Sequence, residues 1–269
     1  MLRKLMKYEW ISTSRKMFPF YILILSISII NGVYFRLEQA DTFLHDVITA
    51  LLEGVYTTII VSSFLFVIYS TLHRFYQNIY GKEGYLYHTL PVKSWQNIVS
   101  KLCVSVLWIV GTVIVLGTGL SVLGIIVDPE QVRKLYYGII LLIPAAIESI
   151  SFPQFLLFLL EIVMSAILGV VLFYLKAYSV MGIGQMFAQH KILISVAFYI
   201  LFQIIENSII TIIVKTTNIF ELLKQSQTQL EVIHNFHTLF LIYFLFVIIF
   251  STIYFWITKY SIDQKLNLQ

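Results

Sequence analysis

The chain has 269 residues, of which 59% are hydrophobic and only 12% charged, and its formal net charge is +4. Soluble domains carry about a quarter charged residues, so this composition cannot supply the polar surface that a water-soluble fold needs. We therefore expect lipid to surround most of the molecule, and we read the small positive charge as membrane topology, not nucleic-acid binding. The single cysteine, Cys103, excludes an internal disulfide and a paired-cysteine metal site.

The first sixteen residues predict an interfacial helix. Leu2, Leu5, Met6 and Trp10 fall near one helical face, with basic residues around them. Two interpretations stay open for this segment. It is either a basic anchor that only sets the topology, or a helix that also contacts a cytoplasmic partner.

Six apolar runs predict six transmembrane helices, because a helix needs about 20 apolar residues to cross a hydrocarbon core of ~30 Å. The runs lack the period-two alternation of a membrane barrel, so the predicted fold class is all-α. A further apolar stretch, 135–146, is short and contains Pro144, and is predicted to lie at the interface or to re-enter. The sequence thus predicts a single transmembrane domain, 1–269, with spans at about 17–34, 48–72, 102–127, 155–175, 192–214 and 239–258.

The distribution of basic residues predicts the orientation. With a cytoplasmic N-terminus and six spans, thirteen of the 18 Lys and Arg residues fall in cytoplasmic segments. Lys176 is counted among them, at the start of an inner loop over 176–191. In that loop Gly182 and Gly184 either allow close helix approach or loosen a helix end. The bias predicts that both termini are cytoplasmic in a multi-pass protein of the cell membrane.

The longest predicted inner loop covers 73–101 and contains an unusual apolar stretch. Pro91 must end any helix in this stretch, and Ser94 is predicted to cap the helix that follows. Exposed aromatic and aliphatic side chains usually mark a contact with a partner. The alternative is that they fold back onto the inner helix ends or into lipid headgroups. The side chains concerned are Tyr85, Leu86, Tyr87 and Leu90.

Three acids, Glu53, Glu161 and Glu206, fall within the apolar runs. A charged side chain at mid-membrane costs roughly 2.5–3.5 kcal/mol, so each should face the helix bundle, a water-filled cavity or the interface. Gln203 and Asn207 share a helical face with Glu206 by their spacing. We interpret these acids as an acidic outward vestibule for a cationic or amphipathic substrate, such as a basic peptide.

A structural role for the three acids is the alternative. They would then be protonated, reach lipid headgroups, or pair with Arg36 or Lys215 at the outer rim. Glu231, His234 and His237 have spacing that could place three ligands on one helical face. No fourth ligand is suggested, so no metal site is predicted.

Three segments, MLRKLMKYEW, EGYLYHTLPVKSWQNIVSKL and YSVMGIGQMFAQHKIL, resemble permease subunits of the type-two ABC (ATP-binding cassette) transporter family, many from Gram-positive bacteria. The resemblance spans most of the chain. It implies a permease that dimerises and couples to cytoplasmic ATPase subunits through an amphipathic N-terminal helix and a short coupling helix between the second and third spans. It also implies a bacterial plasma membrane. The residues that it places at or near the ATPase contact are Tyr85, Leu86, Tyr87, His88, Leu90 and Pro91 in the loop, and Lys7, Glu9 and Trp10 in the N-terminal helix.

The expected function is therefore the permease subunit of an ATP-driven exporter of a peptide, lipid or drug. No G-x-x-x-x-G-K-[ST] loop occurs, so ATP and Mg²⁺ are expected in the partner ATPase, and no cofactor in this chain. H-E-x-x-H and G-x-S-x-G are also absent, which argues against an enzyme. Expected partners are the ATPase subunits, a second or related permease, and lipid. The alternative is an ion- or proton-coupled secondary transporter or channel that uses Glu53, Glu161 and Glu206.

Overall fold

The computed structural model describes residues 1–37, 43–81, 84, 92–187, 189–218 and 228–264. Over these ranges the protein is all-α and contains no strand, which confirms the predicted fold class. Seven helices follow one another along the described chain. They are α1 (Leu2–Leu37), α2 (Phe43–Ile79), α3 (Ser94–Val127), α4 (Pro129–Ile150), α5 (Phe152–Gln185), α6 (Lys191–Thr217) and α7 (Gln229–Gln264).

Six of these helices are long and apolar enough to cross a membrane, and each contains one of the six predicted runs. The prediction of six spanning helices is therefore confirmed. The apolar stretch 135–146 lies in α4, which has 22 residues. This helix is not among the six. The spanning helices cover Leu2–Leu37, Asp46–Ile79, Ser94–Val127, Phe152–Gln185, Lys191–Thr217 and Glu231–Asp263.

The helices extend well beyond the apolar runs. One continuous helix, α1, contains both the predicted interfacial segment and the first span, with Pro19 inside it. Likewise, α5 continues ten residues past the predicted C-terminal limit of its span and ends at Gln185. Lys176 was predicted to begin an inner loop, and this prediction is wrong because the residue lies inside α5.

The chain divides into two compact units. Unit 1 comprises Met1–His73 and Cys103–Ile143. Its core contains large buried side chains from α1, α2 and α3, and the half-buried Met6 of the N-terminal segment packs against them. The buried members are Met17, Tyr21, Ile24, Val67, Val104, Trp108 and Leu116.

Unit 2 comprises Arg74–Leu102 and Pro144–Gln269, and within it α5 packs against both α6 and α7. Glycines on α5 allow close approach to these neighbours. A Cβ atom at Gly182 would collide with the Ser261 side chain and lie 2.9 Å from the Tyr80 hydroxyl, and one at Gly184 would lie 2.6 Å from the Lys191 carbonyl oxygen. The close-approach interpretation of these two glycines is confirmed.

Candidate functional site

A buried ion pair joins two spanning helices of unit 2. Glu206 on α6 is 4% exposed and Lys176 on α5 is 5% exposed. The Lys176 ammonium nitrogen lies 2.7 Å from the Glu206 Oε2 atom and donates a hydrogen bond to it. An ion pair this well buried is expensive to desolvate, so its presence among apolar helices marks a candidate functional site.

Three further side chains complete the site. Tyr254 on α7 is 2% exposed, and its hydroxyl donates a 2.5 Å hydrogen bond to Glu206 Oε1. Lys176 donates a second hydrogen bond, of 2.8 Å, to Gln203 Oε1, and its nitrogen lies 5.1 Å from the centre of the Tyr199 ring. Each charged group is therefore paired and hydrogen-bonded, and the network connects α5, α6 and α7.

The site lies far from either end of its helix. With 27 residues, α6 is about 40 Å long. Glu206 is close to the middle of that length. Water cannot solvate a carboxylate freely at this depth, and an unpaired charge there would be strongly unfavourable. The hydrogen bonds from Lys176 and Tyr254 take the place of that water.

The partner of Glu206 differs from the two that the sequence suggested. Arg36 and Lys215 were the predicted candidates, but the structure pairs Glu206 with Lys176. Of the other residues predicted on this face, Gln203 belongs to the site, whereas Asn207 is exposed and accepts a 3.2 Å hydrogen bond from Gln203 Nε2. Because Lys176 neutralises Glu206, this acid is not the unpaired negative charge that the vestibule hypothesis requires.

Sequence reasoning missed Lys176, Tyr199 and Tyr254 as members of the site. A signal for Lys176 was present, because the residues after it, Ala-Tyr-Ser-Val-Met, contain none of the Gly, Pro, Asn or Asp clusters that end helices. A lysine inside a continuing apolar helix requires a partner. Nothing local distinguishes Tyr199 or Tyr254 from the many other aromatic residues of the spans.

The other two intramembrane acids have different surroundings. Glu161 Oε2 on α5 lies 2.7 Å from His237 Nδ1 on α7. Glu161 precedes Lys176 by fifteen residues, about 22 Å along the helix, so it is not part of the Glu206 site. Glu53, in unit 1, is exposed on α2. Glu161 and Glu206, two of the acids predicted as one pathway, therefore belong to different contacts within unit 2.

On α7, the two histidines whose spacing was considered for a metal site have different surroundings. His237 contacts Glu161, while His234 is exposed. Among the described residues no group of three His, Cys, Asp or Glu side chains could hold a metal ion.

The predicted coupling residues Tyr85, Leu86, Tyr87, His88, Leu90 and Pro91 lie outside the described residues. The residues on either side of them are described, and we call the segment 80–94, which includes the first residue of α3, the α2–α3 connection. At its start, the Tyr80 hydroxyl lies 3.0 Å from Ser261 Oγ. At its end, Ser94 donates a hydrogen bond to Asp263. The predicted capping hydroxyl of Ser94 thus serves a contact with α7.

Aromatic stacking reinforces the first of these contacts. The Phe75 ring, near the end of α2, stacks on the Tyr178 ring of α5 with a centroid separation of 3.6 Å and an interplanar angle of 7°. Burial raises the pKa of the Tyr80 hydroxyl well above its ordinary value, although the hydrogen bond with Ser261 works in the opposite direction. Tyr80 therefore stays neutral and keeps its contact with Ser261 across the physiological pH range.

The N-terminal residues predicted near the ATPase have three different environments in unit 1. Lys7 is exposed and Glu9 is buried. The Trp10 ring stacks on the Trp108 ring of α3, with centroids 4.3 Å apart and an interplanar angle of 9°. Trp108 Nε1 also donates a 2.7 Å hydrogen bond to Thr13 Oγ1. The first turns of α1 are thereby fixed to α3.

Fold and site together define the class of the protein as a multi-pass membrane protein, with six helices of spanning length and a buried ion pair among three of them. Comparison with protein-family models, with curated proteins and with solved structures gave no match.

Proposed function

We propose that this chain is the permease subunit of an ATP-driven ABC exporter, and that it couples to separate ATPase subunits through the α2–α3 connection. The observation that carries the proposal is the attachment of this connection at both ends to the last turn of α7. Tyr80 contacts Ser261 at one end, and Ser94 contacts Asp263 at the other. Because both ends of this short segment contact α7, a displacement of the segment would also displace that spanning helix.

The mechanical argument rests on where the two contacts lie. Ser261 and Asp263 are two residues apart on α7, so both ends of the connection act on the same helical turn. Coupling requires that a partner make different contacts in two states of the protein. A partner ATPase that moves the connection between two positions would therefore move the end of α7 with it.

The same contacts extend towards the buried ion pair. On α7, Tyr254 precedes Ser261 by seven residues, about 10 Å along the helix, and it donates its hydrogen bond to Glu206. On α5, Tyr178 follows Lys176 by two residues and stacks on Phe75. Movement of the connection would reach Glu206 and Lys176 along two separate helices.

The N-terminal end of α1 offers a second candidate contact for the ATPase. Lys7 is exposed there, and Trp10 keeps about a third of its surface accessible although it stacks on Trp108. The remaining parts of the proposal follow the family resemblance. ATP and Mg²⁺ belong to the partner, a second permease completes the pathway in a bacterial plasma membrane, and the cargo is a peptide, lipid or drug. This chain itself has no catalytic role.

Purification of the tagged chain from its native membrane in a mild detergent tests the association. We expect a subunit with a Walker motif to co-purify, and Leu86→Ala combined with Leu90→Ala to abolish its recovery. Leu241→Ala is the matched control, because Leu241 lies on α7 and is 58% exposed. Absence of any ATPase from the wild-type preparation would overturn the proposal.

A second pair of variants tests the coupling itself. Tyr80→Phe and Ser94→Ala each remove one contact to α7 and leave the proposed docking residues in place. We expect both variants to retain the ATPase and to hydrolyse ATP with several-fold less transport per ATP than the wild type. Equal transport per ATP in both variants would show that these contacts do not carry the coupling.

The intramembrane pairs support a second candidate, a proton-coupled carrier. Glu161 contacts His237, and Glu206 contacts Lys176, so titratable groups lie inside spanning helices. Proteoliposomes that contain this chain alone distinguish the candidates. A carrier would move substrate when a pH gradient is imposed without ATP or a partner, whereas the proposed permease would not.

A further inference from the structure

We propose that Glu206, Gln203 and Tyr199 form a binding site for a primary ammonium group, which the chain's own Lys176 occupies in this structure and which an amine-bearing substrate takes over during transport. We call these three residues the ammonium cage. The proposal rests on the transport function proposed above and names the chemical class of the substrate. All residues of the cage lie on α6, and Lys176 enters from α5.

The cage matches the chemistry of an ammonium group. A primary ammonium group has three N–H donors and no acceptor. Two of them are used by Glu206 Oε2 at 2.7 Å and Gln203 Oε1 at 2.8 Å. The Tyr199 ring, 5.1 Å from the nitrogen, adds the attraction of an aromatic face for a cation. A carboxylate, an amide oxygen and a ring face are each suited to a primary ammonium group.

The cage also discriminates between kinds of cation. A guanidinium group binds a carboxylate best with two parallel hydrogen bonds, one to each oxygen. Here Glu206 Oε1 already accepts the hydrogen bond of the Tyr254 hydroxyl, so a guanidinium group would have to share that oxygen with Tyr254. A primary amine needs a single carboxylate oxygen and therefore fits without sharing an acceptor with Tyr254. A quaternary ammonium ion lacks the N–H donors that Gln203 and Glu206 accept.

The burial of Glu206 explains why Lys176 and a substrate would exchange directly. An unpaired carboxylate at this depth is strongly unfavourable, so Glu206 needs either a cation or a proton in every state of the protein. Lys176 can leave when another cation arrives, when Glu206 takes up a proton, or when the helices separate. The lysine therefore acts as a tethered competitor, which keeps the cage filled when no substrate is bound.

Binding of ¹⁴C-labelled n-butylammonium to purified protein in detergent tests the cage. The Lys176→Ala variant removes the competitor, and we expect saturable binding of one amine per chain together with a rise in Tm. Guanidinium, tetramethylammonium and sodium at the same concentration should not produce the shift. The K176A/E206Q double variant, in which both charges are absent, is the matched control and should bind no amine.

The wild-type protein tests the exchange, and this measurement does not depend on the stability of any single variant. Because the tether raises the local concentration of Lys176, we expect wild-type binding of n-butylammonium to be weaker than that of K176A by about 100-fold. Gln203→Leu, which removes the amide oxygen, should weaken the wild-type binding further, by about tenfold.

Two results would overturn the inference. If K176A binds no more amine than K176A/E206Q, the cage does not recognise ammonium. If K176A binds but the wild type shows no binding above that of the double variant at several hundred times the saturating concentration, Lys176 never leaves and the pair is a fixed structural contact. Both measurements use this chain without its partner. Their outcome therefore does not depend on whether an ATPase co-purifies. Failure of this inference can thus be distinguished from failure of the proposed function, which co-purification tests.

Discussion

The ion pair between Lys176 and Glu206 predicts a strongly non-additive set of variants. At the observed separation of 2.7 Å, Coulomb's law with an effective dielectric constant of about 20 gives roughly 6 kcal/mol of attraction. Desolvation of the two groups offsets much of that energy, so the intact pair adds little net stability. Removing one partner leaves the other charge buried. Lys176→Met and Glu206→Gln should each lower the free energy of unfolding by about 3–5 kcal/mol.

The double variant is the informative one. In K176M/E206Q neither charge remains, and we expect a free energy of unfolding within about 1 kcal/mol of the wild type. The wild type, the two single variants and the double variant form a double-mutant cycle. Each protein is purified in mixed micelles and unfolded by titration with dodecyl sulfate, and the fluorescence of its four Trp residues reports the unfolding. Glu53→Gln is the control, because Glu53 is exposed and its loss should change stability by less than about 0.5 kcal/mol.

The outcome separates a buried pair from two independent charges. If the double variant loses about the sum of the two single losses, the side chains do not interact and the geometry of the site is wrong. If Glu206→Gln alone is neutral, the carboxylate is not buried as a charge.

Two further predictions concern helix contacts, and each is read from unfolding titrations of the purified protein. Gly182→Ala should cost about 1–3 kcal/mol because the new Cβ would collide with Ser261, whereas Gly117→Ala, with no atom within 4 Å of its Cβ, should not destabilise. Equal effects of the two substitutions would refute close packing at Gly182. Trp108→Phe should cost about 1–3 kcal/mol because Thr13 loses its 2.7 Å hydrogen bond. In the Trp108→Phe variant, Thr13→Val should lower the free energy of unfolding only a little further. Full additivity of the two losses would contradict the hydrogen bond between Thr13 and Trp108.

The sequence predicts the spanning helices well because hydropathy is summed over about twenty residues, and a few charges do not alter that sum. The ends are predicted less well. The basic segment at the N-terminus continues into the first span as a single helix, α1, because most of its residues are helix formers and Pro19 is accommodated within the helix. Hydropathy alone reports where lipid contact begins, and a helix can begin earlier.

The candidate site could be predicted only in part. Glu206 and Gln203 were identified, because an acid and an amide on one face of an apolar helix are visible in the local pattern. The partner of Glu206 was not identified, because Lys176 is thirty residues away and was predicted to begin an inner loop. The contribution of Tyr254 depends on the packing of α7 against the site, which no local pattern reports. Pairing across helices therefore required the structure.

The position of α5 links the proposed coupling to the ion pair. Lys176 and Tyr178 are two residues apart, so they point about 200° apart around the helix, to nearly opposite faces. One face stacks on Phe75 at the end of α2, and the other holds Glu206 of α6. Helix shifts in conformational transitions are commonly 1–2 Å. A shift of that size along the bond would lengthen a 2.7 Å contact beyond hydrogen-bonding distance.

A displacement at the α2–α3 connection would thus do more than tilt a helix. If it moves α5 away from α6, it lengthens the contact between Lys176 and Glu206. Glu206 is then left without its cation, which favours the binding of another one. Release of the lysine and entry of an amine would then be one step driven from the α2–α3 connection. Under this scheme Phe75→Leu, which loses the ring stack on Tyr178 but keeps an apolar contact, lowers transport and leaves n-butylammonium binding to K176A unchanged. An equal loss of transport and of n-butylammonium binding would show that the stack of Phe75 on Tyr178 maintains the structure of the ammonium cage and does not transmit movement to it.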